Sequence, residues 1–262
     1  MRWIAALIVA VGTASAATID ESRGDARYLE YGRTFAEYVV RVVGHNREGI
    51  PLAGSGTIVA PHWVLTAAHV THEMTSVEIV VGTERHRVDR VFAHRHWTGE
   101  FARDDIALVH VARPFSPSVY PRLSDGTERL GTVAAVAGYG MTGTIQRGLT
   151  GGDQRLRAGS VLLGVIERDC YVCPIRRDAL AGPLPACIAP GDSGGPLWAT
   201  AADGTTRICG VNSYVARTGG KTRYTLGEES GHTRVAKYLS WIHEVAGELD
   251  GACTMPGCHK PR

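Results

Sequence analysis

Short runs of β-branched and other apolar residues, separated by Gly and Pro, recur along most of the chain. This spacing is typical of an all-β fold of the sandwich or barrel kind. Only the segment at about 235–249 has apolar residues at the i, i+4, i+7 spacing of a helical face, and it ends near Gly251. The strand-like runs are residues 38–43, 56–60, 77–81, 106–111, 133–138, 160–166, 196–198 and 207–215.

The N-terminus has the pattern of an export signal. Arg2 precedes an apolar stretch at residues 3–11, and residues 14–16 (Ala-Ser-Ala) are typical of a cleavage site. We expect residues 1–16 to be removed as a signal peptide, because the apolar stretch is well short of the about 20 residues that a membrane anchor needs. The protein is therefore predicted to be secreted, into the extracellular space or a periplasm, with no membrane anchor.

Composition excludes few functions. The chain has 262 residues, of which 44% are hydrophobic and 21% charged, as in ordinary globular proteins with a sizeable core. Its formal net charge is +2 and no basic run is dense, so nucleic acid is not an expected ligand. No Gly-rich phosphate loop follows a predicted strand, and we expect no cofactor.

The strongest chemical signal is the segment 191–196, Gly-Asp-Ser-Gly-Gly-Pro. Its glycines permit backbone conformations that a side chain forbids, and they let N–H groups crowd around one point. Ser193 is therefore a candidate nucleophile, and the N–H groups of Gly191 and Ser193 are candidates to bind the oxyanion that its attack creates. The simpler alternative is an ordinary polar turn.

Two upstream segments supply the groups that a serine nucleophile needs. A strand-like run at 63–69 ends in His69, and Asp105 stands at the start of a second apolar run. An imidazole with a pKa near ~6.5 suits a general base, and a buried carboxylate fixes its tautomer. Each residue alone is more simply structural. Together, in the order His, Asp, Ser, they predict a nucleophilic site.

These motifs resemble the trypsin/chymotrypsin-like serine protease family, over about residues 38–249. The resemblance rests on residues 66–69 (Thr-Ala-Ala-His), 105–108 (Asp-Ile-Ala-Leu), 191–196 and the Gly-Tyr-Gly segment at 138–140, where the family has Gly-Trp-Gly. It implies an all-β fold of two six-stranded antiparallel β-barrels with a C-terminal α-helix. The implied divisions are an N-terminal segment at 17–37 (with a propeptide to 27 as one alternative), a protease domain at 38–250, barrels at about 38–120 and 131–233, a helix at about 235–249 and a tail at 251–262.

The resemblance also implies the residue roles of a secreted serine endopeptidase. Ser193 attacks the peptide carbonyl, His69 transfers the proton, and Asp105 orients His69. Asp104 is then expected to be a solvated neighbour. The implied partners are protein or peptide substrates, the chain is expected to be a monomer, and no metal is expected. A non-catalytic binding protein on the same fold and an esterase are the alternatives, which peptide and ester substrates would separate.

In the family, Asp192 would receive the ammonium of an Ile-Val-Gly-Gly terminus that zymogen cleavage creates. This chain has no such tetrapeptide. Two alternatives are open. Cleavage after Arg27 would expose Tyr28 at about the right distance upstream, or Asp192 finds an internal partner and no zymogen step is needed.

The implied specificity pocket differs from that of trypsin. Trypsin-like enzymes have an acidic residue six positions before the serine, where this chain has Cys187, with residues 188–190 (Ile-Ala-Pro) between it and the turn. Val215 stands where glycine leaves the pocket open, and Ser230 is expected on the opposite wall. We therefore expect a preference for small or medium apolar side chains (elastase- or chymotrypsin-like) over Lys or Arg. The implied substrate-binding residues are Cys187, Ser213, Tyr214 and Val215, and Ser213 also supports Asp105.

Six cysteines in an exported chain favour structural disulfides of open connectivity, with a bridge between the last two clipping the tail. They are Cys170, Cys173, Cys187, Cys209, Cys253 and Cys258. The Cys-Tyr-Val-Cys segment at 170–173 fits a redox motif or half a zinc site less well. The family bridge beside the catalytic histidine is absent, since Gly54 and Val70 occupy its positions. His94 and His96 are candidate strand metal ligands, but we interpret them as surface residues.

Overall fold

The computed structural model describes residues 17–216, 226 and 228–247. The predicted signal peptide at 1–16, the tail at 251–262 and the last residues of the predicted helix lie outside the described residues. None of the helices in the described part of the chain is long and apolar enough to cross a membrane.

The chain forms short strands joined by turns, with three short helices. The strands are β1 (Thr18–Ile19), β2 (Val39–His45), β3 (Pro51–Ala60), β4 (Trp63–Thr66), β5 (Ser76–Val81), β6 (Glu84–Ala93), β7 (Ala107–Val111), β8 (Val133–Gly138), β9 (Thr142–Thr144), β10 (Gly148–Gly151), β11 (Arg157–Leu162), β12 (Val165–Glu167), β13 (Cys170–Pro174), β14 (Ala186–Cys187), β15 (Pro196–Thr200), β16 (Thr206–Ala216) and β17 (Glu229–Arg234). The helices are α1 (Asp25–Arg33), α2 (Ala68–His72) and α3 (Leu239–Ala246), with single 3-10 turns at Glu21–Arg23, Ala179–Ala181 and Val235–Tyr238.

The first half is a closed antiparallel barrel in the order β2-β3-β4-β7-β6-β5. Its strands alternate inward and outward side chains, and the inward set includes the fully buried Val40, Ile58 and Leu108. Burying each such side chain contributes about 1.5–3 kcal/mol. Closure also removes exposed strand edges.

The second half is a seven-stranded antiparallel sheet in the order β11-β8-β15-β16-β17-β13-β12. A four-stranded sheet, β10-β9-β1-β14, lies beside it. The predicted all-β fold with a C-terminal helix is confirmed. The strand number of the second half differs from six because the hairpin that pairs Val165 with Val172 adds the short β12 at the sheet edge.

The segment before residue 38 is an integral part of the second half. Strand β1 pairs antiparallel with β14 and parallel with β9. Helix α1 packs so closely on the chain before β11 that a Cβ on Gly32 would lie 2.5 Å from the carbonyl oxygen of Leu156. Tyr28 on this helix is fully buried, and its O–H donates to the carbonyl of Pro185 at 2.8 Å.

The predicted C-terminal helix is present with an irregular start. Its first turn, Val235–Tyr238, is 3-10, and α3 continues to Ala246 with Ile242 fully buried. Gly247, at φ 76°, caps the helix because glycine enters this left-handed region without strain.

The expected disulfides do not form among the described cysteines. Cys170, Cys173, Cys187 and Cys209 are buried and none of these four is in a disulfide, and Cys253 and Cys258 lie outside the described residues. Burial raises the pKa of Cys170 and of Cys173 to about 12, so these thiols stay protonated and pack as small apolar side chains.

Candidate active site

Strand pairing in the first barrel brings His69 to Asp105. Strands β4 and β7 are antiparallel neighbours with Thr66 opposite Ala107. The chain that leaves the end of β4 therefore passes the chain that enters β7. His69 follows on the short helix α2, and Asp105 lies two residues before β7.

The Asp105 carboxylate is fully buried, and both of its oxygens have hydrogen-bond partners. Its Oδ2 lies 2.7 Å from Nδ1 of His69 and accepts the O–H of Ser213 at 2.5 Å, while its Oδ1 accepts the backbone N–H of His69 at 2.9 Å. Burial alone would raise the pKa of this carboxyl, but the charge and hydrogen bonds of His69 and the hydrogen bond of Ser213 lower it. The carboxylate is thus ionised and fixes the orientation of His69.

A bulge in β16 gives Ser213 its position. The register with β17 shifts between Asn212 and Tyr214, which is where Ser213 lies. A bulge turns a side chain out of the regular alternation, and here it directs the hydroxyl of Ser213 to Asp105. Ser213 therefore makes the direct hydrogen bond to Asp105 that its predicted supporting role requires.

The turn that carries Ser193 is anchored on both halves of the molecule. Its carbonyl accepts the N–H of Ser55 in β3 at 2.8 Å, and the next N–H, of Gly194, donates to Asn212 in β16 at 2.8 Å. Gly191 has φ 93°, a conformation that glycine adopts without strain. Among the described residues, the N–H groups of Gly191 and Ser193 donate to no backbone carbonyl, so both are available to an oxyanion.

Substituting Gly194 tests this turn. Gly194 has φ 82°, and a Cβ there would lie 2.0 Å from Oγ1 of Thr66 and 2.3 Å from the carbonyl oxygen of Ser55. We expect Gly194→Ala to reduce the free energy of unfolding by about 2–5 kcal/mol, from left-handed strain and overpacking together, and to abolish hydrolysis. The matched control is Gly204→Ala, at φ 81° with open space around it, which should cost only the strain. Equal losses in denaturant unfolding would contradict this account.

Asp192 lies fully enclosed behind the turn. Its oxygens accept the N–H groups of Ala189 at 2.7 Å, Gly140 at 2.8 Å and Ala17 at 3.0 Å. Burial raises the pKa of this carboxyl to about 6, although the three N–H groups act in the opposite direction. Side chains on Gly138 or Gly140 would collide with Asp192, which explains the glycines of the Gly-Tyr-Gly segment.

One of these three partners of Asp192, Ala17, is the residue that follows the predicted export cleavage site. Ala17 is 5% exposed and begins the segment that β1 ties into the second half. Tyr28, the alternative terminus, is instead a core residue on α1. Cleavage after Arg27 would remove both Ala17 and β1 from the folded protein.

Three of the residues predicted for the specificity pocket, Cys187, Val215 and Ser230, lie near one another. Cys187 is fully buried in a cluster with Ile145 and Ile175, against which Val215 packs. Ser230 pairs directly with Val215 across β16 and β17, and its hydroxyl lies 2.9 Å from Nε2 of a buried histidine, His232. The position six residues before Ser193 thus holds a buried thiol, Cys187, and not a carboxylate.

Several residues at the site had no sequence signal of their own. Ser55 donates its O–H to the carbonyl of Gly191 at 2.8 Å and accepts the N–H of Tyr139 at 2.9 Å. The O–H of Thr233 donates to the carbonyl of Asp105 at 3.0 Å. The ring of Phe101 lies 5.0 Å from that of His69, between centroids. Each is an ordinary residue type whose role depends on contacts far apart in the chain.

Two expectations about neighbouring residues were wrong. Asp104 is not solvated: it is 7% exposed and accepts the O–H of Tyr238 at 3.1 Å, because α3 packs over it. The side chain of His94 is only 10% exposed and lies near Asp104, whereas His96 is exposed as expected. These three residues are the one group in the described part of the chain whose atoms are close enough to share a metal ion.

Comparison with known proteins decides the family. The Trypsin family model matches residues 35–242. The chain belongs to the trypsin family. Similar relatives are chymotrypsin-C from Bos taurus, 27% identical over 220 residues, and chymotrypsin-like elastase family member 1 from Felis catus, 27% identical over 216 residues. Each alignment covers 72% of this chain, with 76% of the first relative and 77% of the second.

A solved structure of HL collagenase has the same fold. Its TM-score is 0.64 at 20% identity, and the match covers 82% of this chain and 95% of the collagenase chain. The resemblance predicted from the motifs is thus confirmed, and this trypsin-family chain is a serine protease by family.

At the positions of the absent family disulfide, Val70 packs against Gly54, where a Cβ would lie 2.6 Å from Cγ1 of Val70.

Proposed function

We propose that this trypsin-family protein is a secreted serine endopeptidase with a catalytic triad of Ser193, His69 and Asp105. The observation that carries the proposal is the buried Asp105 carboxylate, whose oxygens hold His69 by both its ring N–H and its backbone N–H. A buried charge is costly and requires partners such as these. A protein that only binds other molecules has no evident need for such an arrangement.

The mechanism follows from these contacts. Ser193 Oγ attacks the scissile carbonyl carbon while Nε2 of His69 takes its proton, and the N–H groups of Gly191 and Ser193 stabilise the oxyanion. The tetrahedral intermediate collapses, the C–N bond breaks, and His69 gives the proton to the leaving amine. Water then hydrolyses the acyl-enzyme by the same steps. Asp105 stays ionised and stabilises the His69 imidazolium.

The proposed substrate preference is for small or medium apolar side chains. It is supported by the thiol of Cys187 in place of a carboxylate, by the packing of Val215 over it, and by the names of the similar relatives, chymotrypsin-C and an elastase. A Lys or Arg side chain would have to bury its charge there, against apolar neighbours.

Val215→Gly tests the narrowing of this pocket. Removing the side chain should raise kcat/KM for substrates with Phe at the cleaved position, relative to Ala, by about 10-fold or more, since a single methylene group in a hydrophobic pocket is worth about 10–200-fold. The matched control is Val165→Gly on the exposed β12, which should leave the ratio unchanged. An unchanged Phe/Ala ratio in Val215→Gly would contradict the pocket assignment.

We further infer that export cleavage before Ala17 completes the site. Removal of residues 1–16 would convert the amide N–H of Ala17, which already lies 3.0 Å from Asp192 Oδ2, into an ammonium at the same place. Among the described residues the hydrogen-bond partners of Asp192 are neutral N–H groups, and the charge of Arg157 acts on it without a hydrogen bond, so the buried carboxylate would gain a directly bound cation. On this proposal no separate propeptide is needed.

The overall proposal is tested with matched peptide and ester substrates. The purified protein should cleave peptide anilides after Ala, Val or Leu more efficiently than after Arg. Faster cleavage after Arg would overturn the specificity, and ester hydrolysis without peptide hydrolysis would favour an esterase. A chain that starts at Ala17 and cleaves neither would favour a binding protein.

A further inference from the structure

A second cluster of chemically active side chains lies on the loop that joins β6 to β7. A ring nitrogen of His94, a ring nitrogen of His96 and a carboxylate oxygen of Asp104 lie within 4.8 Å of one another. They line an open cleft of about 890 Å³ between this loop and α3. We propose that these three residues bind a divalent transition-metal ion such as Zn²⁺.

His94 is already held as a ligand would be. Its ring stands edge-on to Tyr238 and Trp241, with centroids 5.0 and 5.1 Å away, and its side chain is 10% exposed. Its Nδ1 is buried and has no hydrogen-bond partner among the described residues. A buried polar atom without a partner is destabilising, and a metal ion would satisfy it.

The spacing fits a zinc ion. Tetrahedral bonds of about 2.1 Å place two ligand atoms about 3.4 Å apart, and Nδ1 of His94 lies 3.5 Å from Oδ1 of Asp104. The O–H of Tyr238 orients the Asp104 carboxylate, as outer partners commonly orient metal ligands. His96 is exposed and its ring is in edge contact with that of His94. A rotation of the His96 side chain is therefore enough to bring its ring nitrogen to the ion as the third ligand.

The donor set and the surrounding charges select the class of ion. Two imidazoles and one carboxylate suit zinc, whereas calcium and magnesium require mainly oxygen ligands. The cleft is lined by four carboxylates and four cationic side chains, so it has no net charge that would repel a cation. The nearest competitor is the ammonium of Lys237, 3.8 Å from Asp104, which is also paired with Asp169 at 2.5 Å.

The location connects the site to the loop beside His69. Asp104 immediately precedes Asp105, and Phe101 on the same loop contacts the His69 ring. A bound ion would join the beginning of the loop, at His94, to its end, at Asp104. We therefore expect binding to raise the melting temperature of the protein, whether or not the chain is catalytic.

Isothermal titration of the purified protein with zinc chloride alone tests the site. One zinc ion should bind per chain, and His96→Ala should weaken binding by at least about 100-fold, because loss of even an outer partner costs 10–100-fold. The matched control, His45→Ala, removes an exposed histidine from β2 outside the cleft and should leave the affinity unchanged. Lys237→Met should tighten binding by about fivefold, as it removes a nearby positive charge.

Two results would overturn the assignment. One is the absence of zinc binding to wild type. The other is binding that survives His96→Ala but is lost in His69→Ala, which would place the ion on the catalytic histidine. Since binding is measured without substrate, neither result depends on whether the chain hydrolyses peptides, and loss of peptidase activity would leave the zinc site standing.

Discussion

Ser193→Ala should lower kcat for peptide hydrolysis by about a million-fold, the loss expected when the nucleophile of a triad is removed. The physical reason is that Oγ of Ser193 forms the ester bond of the acyl-enzyme in this mechanism. Without it, only direct attack by water on the peptide carbonyl remains. The oxyanion donors and substrate binding would persist and give a residual acceleration of about 10³–10⁴ over the uncatalysed reaction. Single-turnover and steady-state assays on an oligopeptide amide would measure the loss.

The matched variants for this prediction are His69→Ala and the double variant that combines Ser193→Ala with His69→Ala. Groups that act as one unit are strongly non-additive, so the double variant should be hardly slower than either single variant. Additive losses would mean that Ser193 and His69 do not act in one step. Activity of Ser193→Ala near that of wild type would refute the proposed nucleophile.

A chain that begins at Ala17 should be about 10²–10³ times more active than one that carries Ser15 and Ala16 before it. In the extended chain, the hydrogen bonds that the buried Asp192 accepts from described residues come from neutral N–H groups, and none comes from a cation. In the chain that begins at Ala17, the new ammonium would pair with Asp192. Lacking one partner of a buried ion pair costs about 3–5 kcal/mol, which here would loosen the Ser193 turn adjoining Asp192. Peptidase assays on the two purified chains measure the ratio.

The stability of the two chains should also differ in its pH dependence. In the extended chain, burial raises the pKa of Asp192 from 3.8 to about 6. The folded state then holds a proton that the unfolded state releases, so stability falls as the pH rises from about 4 to about 6, by about 3 kcal/mol. The chain that begins at Ala17 should lose less stability over this pH range, because the Ala17 ammonium favours the ionised form of Asp192. Asp192→Asn in the extended chain is the control that should remove this pH dependence, and equal activities and pH profiles would contradict the role of Ala17.

The sequence predicts those parts of the site that depend on local chemistry. His69, Asp105 and Ser193 could be nominated because each lies in a short motif whose residue types match its proposed task. The alternation of apolar runs likewise predicts a strand-rich fold, because the pattern of side chains facing the core is local to each strand.

The other features depend on contacts between distant parts of the chain. Ala17 and Asp192 are 175 positions apart, and no local pattern relates them. Asp104 would be solvated on its loop alone, and it is buried only because α3 packs over it. The four described cysteines favour disulfides by composition, but pairing also requires matching backbone geometry, which residue types do not encode.

The most direct test of the central claim, that Ser193 is an activated nucleophile, is the intact mass of the purified protein after treatment with a fluorophosphonate. We expect one adduct, located on Ser193 by peptide mapping, on a chain that begins at Ala17, and no adduct in His69→Ala. A chain beginning at Ala17 that forms no adduct, or an adduct that forms equally fast in His69→Ala, would contradict it.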